Sequence, residues 1–98
     1  MERGGYIYIL TNKNKTTLYA GVTSQLRARI VEHKTGKYPG SFSHRYNLHY
    51  VIYYEGFKSI DEAIGREKQI KKFTRKQKEE LILQFNPEWK DLFDDLPE

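Results

Sequence analysis

Two runs rich in β-branched and aromatic residues, Tyr6 to Leu10 and Thr16 to Val22, flank the polar stretch Thr11 to Lys15. Runs of this kind on either side of a short polar connection read as a β-hairpin. Side chains alternate across a strand, so Ile7 and Ile9 share one face with Leu18, Ala20 and Val22, and Tyr6, Tyr8 and Tyr19 are gathered on the other. Whatever else the chain folds into must cover the aliphatic face and find a use for the tyrosine face.

The rest of the chain supplies the cover. After Gly21, Thr23 or Ser24 can cap a helix running to about Thr35, with Gly36 as its stop and Leu26 and Ile30 as its buried stripe. His49 to Glu55 reads as a third strand. Ser59-Ile60-Asp61-Glu62 is a capping box, so a second helix starts there and extends to about Phe73. Another spans about Arg75 to Phe85 and ends ahead of Pro87, because proline disfavours helical geometry in the residue before it. The segment from Gly36 to Asn47, with Phe42, His44, Arg45 and Tyr46, reads as a long loop of the kind that often carries function. With 98 residues there is apolar surface for one core. The expected fold is α+β: one domain over residues 1–98, built as a small three-stranded antiparallel sheet flanked by helices, with its core over about 5–92 and an acidic tail over 93–98.

Composition narrows the chemistry. There is no cysteine, which excludes a disulfide framework and any thiolate metal site, and the three histidines are not closely paired. Any metal must therefore be held mainly by oxygen. No apolar run is long enough for a membrane span and no secretory signal is visible, so the expected location is the cytoplasm, with no membrane partner. The net charge is +4, but its distribution matters more: Arg66, Lys68, Lys71, Lys72, Arg75, Lys76 and Lys78 stand against the single acid Glu67 in that stretch, while Asp91, Asp94, Asp95 and Glu98 offset them in the total. Such a concentration suits a polyanionic partner, although a solvated helix face reads the same way.

Three residues stand out by position. Glu67 lies three residues after Ile64 and three before Ile70, near the middle of a stripe formed by Ile60, Ala63, Ile64 and Ile70. A carboxylate there needs a cation, a metal or a hydrogen-bond network, and Lys71 one turn on is the simplest partner. On the first helix Arg29 and His33 are one turn apart and project together. Taken singly, each has an ordinary structural reading.

The sequence nevertheless resembles the GIY-YIG nuclease superfamily. Tyr6-Ile7-Tyr8 and Tyr19-Ala20-Gly21 look like the paired signature, and Arg29 and His33 are similar to the second motif. The helix with Arg66-Glu67-Lys68 looks like the one carrying the metal-binding glutamate, and Asn86-Pro87 resembles a late asparagine motif. The likeness runs from Tyr6 to about Leu92. Tyr6 stands where the signature has glycine and Ala20 where it has isoleucine or valine, and neither position supplies reactive atoms.

That resemblance implies a divalent-metal-dependent endonuclease acting on phosphodiester bonds, with DNA the expected substrate ahead of RNA; with no separate DNA-reading domain in the sequence, structure or single strands rather than base sequence should guide its choice, in repair or recombination. It implies one Mg2+ or Mn2+ ion on Glu67 and phosphate oxygens, Arg29 on the scissile phosphate, and Tyr8 or Tyr19 orienting or deprotonating water with help from His33, with Asn86 a further member of the site. A nearby cation would have to favour the phenolate, since tyrosine is otherwise a poor base at neutral pH. Nucleic-acid contacts are expected from Arg27, His44, Arg45, Lys68, Lys71, Lys72, Arg75 and Lys76. The alternative is a non-catalytic nucleic-acid-binding module on the same fold, which would bind without cleaving.

Overall fold

The computed structural model describes residues 4–37, 40 and 42–97, the side chains of Phe42 and Ser43 excepted. Tyr38, Pro39 and Ser41 of the expected loop, the Phe42 ring and the acid Glu98 thus lie outside the described residues.

The hairpin forms as its composition dictates, from β1 (Gly5–Thr11) and β2 (Leu18–Thr23), and β3 (Tyr50–Phe57) joins the other edge of β1. All pairings are antiparallel in the order β2-β1-β3, so β1 is central and β2 keeps one open edge. The register pairs Ile7 with Val22, Ile9 with Ala20 and Leu10 with Tyr19, which realises the two faces expected from alternation. A register shift between Ile9 and Leu10 interrupts the β1–β3 ladder.

The helices are α1 (Leu26–Thr35), the one-turn α2 (Phe42–Arg45), α3 (Ile60–Lys71) and α4 (Arg75–Phe85). They divide between the two faces. Leu26 and Ile30 of α1 pack with Tyr6, Tyr8 and Leu10, whereas Ala63 and Ile70 of α3 and Ile82 of α4 pack with Ile7, Ile9 and Ala20. The stripe on α3 is narrower than its apolar residues suggest: Ala63, Glu67 and Ile70 are its buried members, and Ile60 is 37% exposed.

Local signals explain most boundaries. Ser59 and Glu62 close the expected capping box, and Thr74 and Gln77 form a second one at α4. Gly36 ends α1 with φ +67°, a conformation that costs glycine nothing. The start of α1 differs from expectation: its N-cap is Gln25, without a side-chain cap. Thr23 is still paired with Tyr6 as the last residue of β2, and its hydroxyl is used one step early, accepting from the Gln25 N–H at 3.0 Å.

The segment set apart as an acidic tail packs onto the core. Phe93–Asp95 makes a single 3-10 turn and Leu96 is 5% exposed in the cluster under α1. Asp91 secures this return: its carboxylate accepts from Lys34 Nζ at 2.6 Å and from the backbone N–H groups of Val51 and Phe93.

Candidate active site at the open edge of the sheet

Tyr8, in the middle of the central strand, is the hub. Its partner across β1–β2 is Gly21, and the phenol lies over that glycine: a Cβ on Gly21 would overlap Cζ and the hydroxyl oxygen of Tyr8. Glycine therefore lets the ring cross the backbone of β2 towards its open edge. The phenol oxygen is 3.0 Å from His33 Nε2, and the rings of Tyr8 and Tyr19 lie 5.6 Å and 6.3 Å from that imidazole. Arg29, one turn before His33 on α1, lies against the same phenol and lowers its pKa by charge and hydrogen bonding.

Glu67 reaches this group from the other side of the sheet. It is 9% exposed, its carboxylate accepts from Lys71 Nζ at 2.6 Å, and its charge is felt at the Tyr8 phenol. Lys71 Nζ in turn lies 5.9 Å from the centre of the Tyr19 ring. The carboxylate and the Arg–His pair thus approach from helices on opposite faces and meet at the edge of β2, where Gly21 leaves the way clear. The alternation of Tyr8 and Tyr19 leads to one face only; that the site straddles an edge follows from β2 having no further strand beside it among the described residues.

The electrostatics differ from those of an activated tyrosine. Burial, with Tyr19 next in weight, pushes the Tyr8 phenol up to about 12 against the opposing pull of Arg29. The expected lowering by a nearby cation is present but outweighed. Burial, and then the Arg29 charge, hold His33 below its ordinary 6.5, so the imidazole is neutral at pH 7. Arg29 donates to Glu32 at 3.1 Å, yet its Nε is buried without a hydrogen-bond partner, a donor poised for an anion that enters beside it.

Other expected residues are differently employed. Asn86 is 4% exposed and belongs to the scaffold at β3: its amide donates to the carbonyls of Ile52 and Lys90, and its oxygen accepts from the Lys90 N–H. Among the described residues, its side-chain hydrogen bonds all lie at β3 and the turn after α4. The Arg27 guanidinium donates to the Leu96 carbonyl and sits over the Phe93 ring, and that of Arg75 donates to the carbonyls of Lys15 and Thr16 and to Glu79. Both therefore tie chain segments together, which competes with phosphate binding. Lys68, Lys72 and Lys76 are exposed, as are His44 and Arg45. Gly21 stands in the Tyr19-Ala20-Gly21 signature, but only the packed phenol shows what its missing side chain permits.

Gly21→Ala is accordingly expected to cost about 1–3 kcal/mol of stability, as overpacking does, which denaturant unfolding of the variant against the parent chain measures.

A small α+β domain that brings two tyrosines, an arginine, a histidine and a glutamate to one sheet edge defines a class, and comparison identifies it: the model of the GIY-YIG catalytic domain matches residues 4–80, and the chain belongs to that family. Within it, the chain is 39% identical over 83 residues to a UPF0213 protein of Syntrophus aciditrophicus, covering 85% of this chain and 93% of that one. It is 38% identical over 77 residues to a UPF0213 protein of Staphylococcus haemolyticus, with 79% and 92% covered. The solution NMR structure of a UPF0213 protein from Bacillus halodurans superposes with a TM-score of 0.57 at 26% identity, covering 89% and 90% of the two chains. Membership places the chain in a nuclease superfamily whose enzymes act on nucleic acid and are in general metal-dependent.

A metal at this edge would find few protein donors. Among the described residues no three His, Cys, Asp or Glu side chains converge, so a resident cation would have one protein carboxylate, Glu67, and otherwise substrate and water oxygens. Lys71, the present partner of Glu67, is half exposed on a flexible stem and can swing away. That set fits a hard divalent cation.

Proposed function

We propose that the protein is a divalent-metal-dependent endonuclease that hydrolyses phosphodiester bonds in DNA, choosing single-stranded or branched substrates by shape. Repair or recombination in the cytoplasm is the setting this reading implies. The observation that carries it is the Tyr8 phenol, held between His33 and Arg29 with the charge of Glu67 in reach, because binding alone has no use for a buried carboxylate beside a phosphate.

Arg29 would take the scissile phosphate, exchanging Glu32 for phosphate oxygens. A divalent cation on Glu67, when bound, supplies charge stabilisation at the phosphate and the leaving oxygen. The phenol oxygen accepts from Arg29, which leaves its proton for His33 Nε2 and puts the imidazole proton on Nδ1. As water attacks phosphorus, Tyr8 accepts its proton and passes its own to His33. The phenolate never accumulates, which suits a phenol held near 12. The P–O3′ bond breaks, and the alkoxide takes a proton from solvent.

This relay requires neutral His33. Its pKa lies below 6.5, so the single-turnover rate is expected to rise with pH through a limb below that value and level off near neutrality. His33→Gln should flatten the limb and slow cleavage by about 10²-fold or more, the usual range for a lost general base. An unaltered limb in the slowed variant would leave His33 only a holder of Tyr8. The reading as a whole is tested with labelled single-stranded, duplex and branched DNA and matching RNA, each with magnesium, manganese or EDTA. No cleavage of any substrate with either metal would refute it.

A further inference from the structure

At the hairpin end of the sheet, three residues along β1 from Tyr8, a cavity of about 240 Å3 opens between the β1–β2 turn and the turn that follows α4. Its walls include Asn12, Lys13, Lys15, Tyr50, Trp89 and Asp91. We propose that it holds one base of a nucleic-acid strand, stacked against Trp89, with the flanking phosphates beside Lys13 and Lys15. The proposal deepens the nuclease reading and rests on it for the class of ligand.

Three observations carry it. The volume lies just under the roughly 300–1,000 Å3 of drug-sized pockets, which suits a single flat ring. Two aromatic walls are fixed, since Trp89 and Tyr50 both pack on the core cluster shared by Ile7, Ile52 and Ile82. Trp89 moreover sits at φ +54°, where a bulky side chain is seldom tolerated. The Asn86 clamp keeps it there: the Trp89 N–H donates to the Asn86 carbonyl at 3.0 Å, and both ends of the Asn86 amide bind Lys90. A strained conformation over-determined by its surroundings is a feature of ligand sites.

Charge selects the ligand. The carboxylate in the wall, Asp91, is already satisfied by Lys34 and two backbone N–H groups. Lys13 and Lys15 are exposed on the rim, and Arg75 fixes the backbone of Lys15 while leaving its ammonium outside. An aromatic floor with a cationic rim is what a base attached to phosphates needs. The distance from Thr11 to Tyr8 along the strand, about 10 Å, is one that a few nucleotides span.

Trp89 is the only tryptophan of the chain, so its emission reports this cavity directly. A short oligothymidylate titrated into the full chain in EDTA should quench that emission saturably, in step with the anisotropy of a labelled copy. An abasic strand of equal length should bind roughly 5- to 150-fold more weakly, the range for one lost stacking contact, and leave the emission unchanged. Neutralising Lys13 and Lys15 together to glutamine should lower the salt slope by about 0.7 for each phosphate contact removed; Trp89→Phe, which keeps a ring in place, should retain most of the affinity. Oligothymidylate that binds without altering Trp89 emission, or that does not bind at all, overturns the proposal. Quenching in EDTA without cleavage in magnesium or manganese would instead refute the nuclease reading and leave this cavity as a binding site.

Discussion

Glu67→Gln is expected to abolish metal-dependent cleavage, by about 10³-fold or more, since a divalent ion contributes several kcal/mol of charge stabilisation to the transition state. Glu67 is the single carboxylate on the buried stripe of α3, and glutamine matches its shape while losing the charge that attracts a cation. The fold should survive. The partner ammonium of Lys71 is half exposed and can turn to water, so no uncompensated charge is left inside, and the desolvation of the carboxylate is relieved. Circular dichroism and denaturant unfolding should therefore show a change within about 1 kcal/mol, alongside single-turnover assays in magnesium and manganese. Cleavage at the wild-type rate in this variant would remove Glu67 from the mechanism.

Arg29→Ala should slow single-turnover cleavage by about 10²-fold or more, on the order of 3 kcal/mol, while substrate affinity falls much less. The asymmetry arises because charge accumulates on the phosphate oxygens as the reaction proceeds, so an interaction that tightens there lowers the barrier more than it improves binding. Arg29→Lys should recover only part of the loss. The planar guanidinium holds several N–H donors in fixed directions, among them the buried Nε and the Nη1 now on Glu32, which a single ammonium cannot reproduce. Equal losses of affinity and rate in Arg29→Ala would reduce Arg29 to a docking contact.

These expectations use residues that were legible before the fold was known, but for reasons of different strength. Alternation alone sorted Tyr6, Tyr8 and Tyr19 from Ile7 and Ile9, because the pleat has a fixed period of two. The Ser59–Glu62 box, Gly36 and Pro87 marked helix boundaries because each acts on backbone groups within a turn of itself. Glu67 was conspicuous as a charge among apolar neighbours. The roles of Arg27, Arg75 and Asn86 were not legible in the same way. An exposed-looking arginine and a turn asparagine have the same local signature whether they meet a ligand or a distant carbonyl, and Leu96, Lys15 and Ile52 are far away in sequence.

The sequence by itself determined the elements and the chemistry: a hairpin with two unlike faces, an Arg–His pair one turn apart, a carboxylate on an apolar stripe, and oxygen rather than sulfur for any metal. Tertiary structure alone decided where these meet. Placing β3 on the far edge of β1 left β2 open, and packing α1 and α3 on opposite faces sent Arg29 and Glu67 towards each other around that edge instead of over one surface. Strand order and the choice of face are long-range packing outcomes with no local code, and so is the consequence for Gly21: its empty side-chain position matters because the Tyr8 ring of the neighbouring strand fills it.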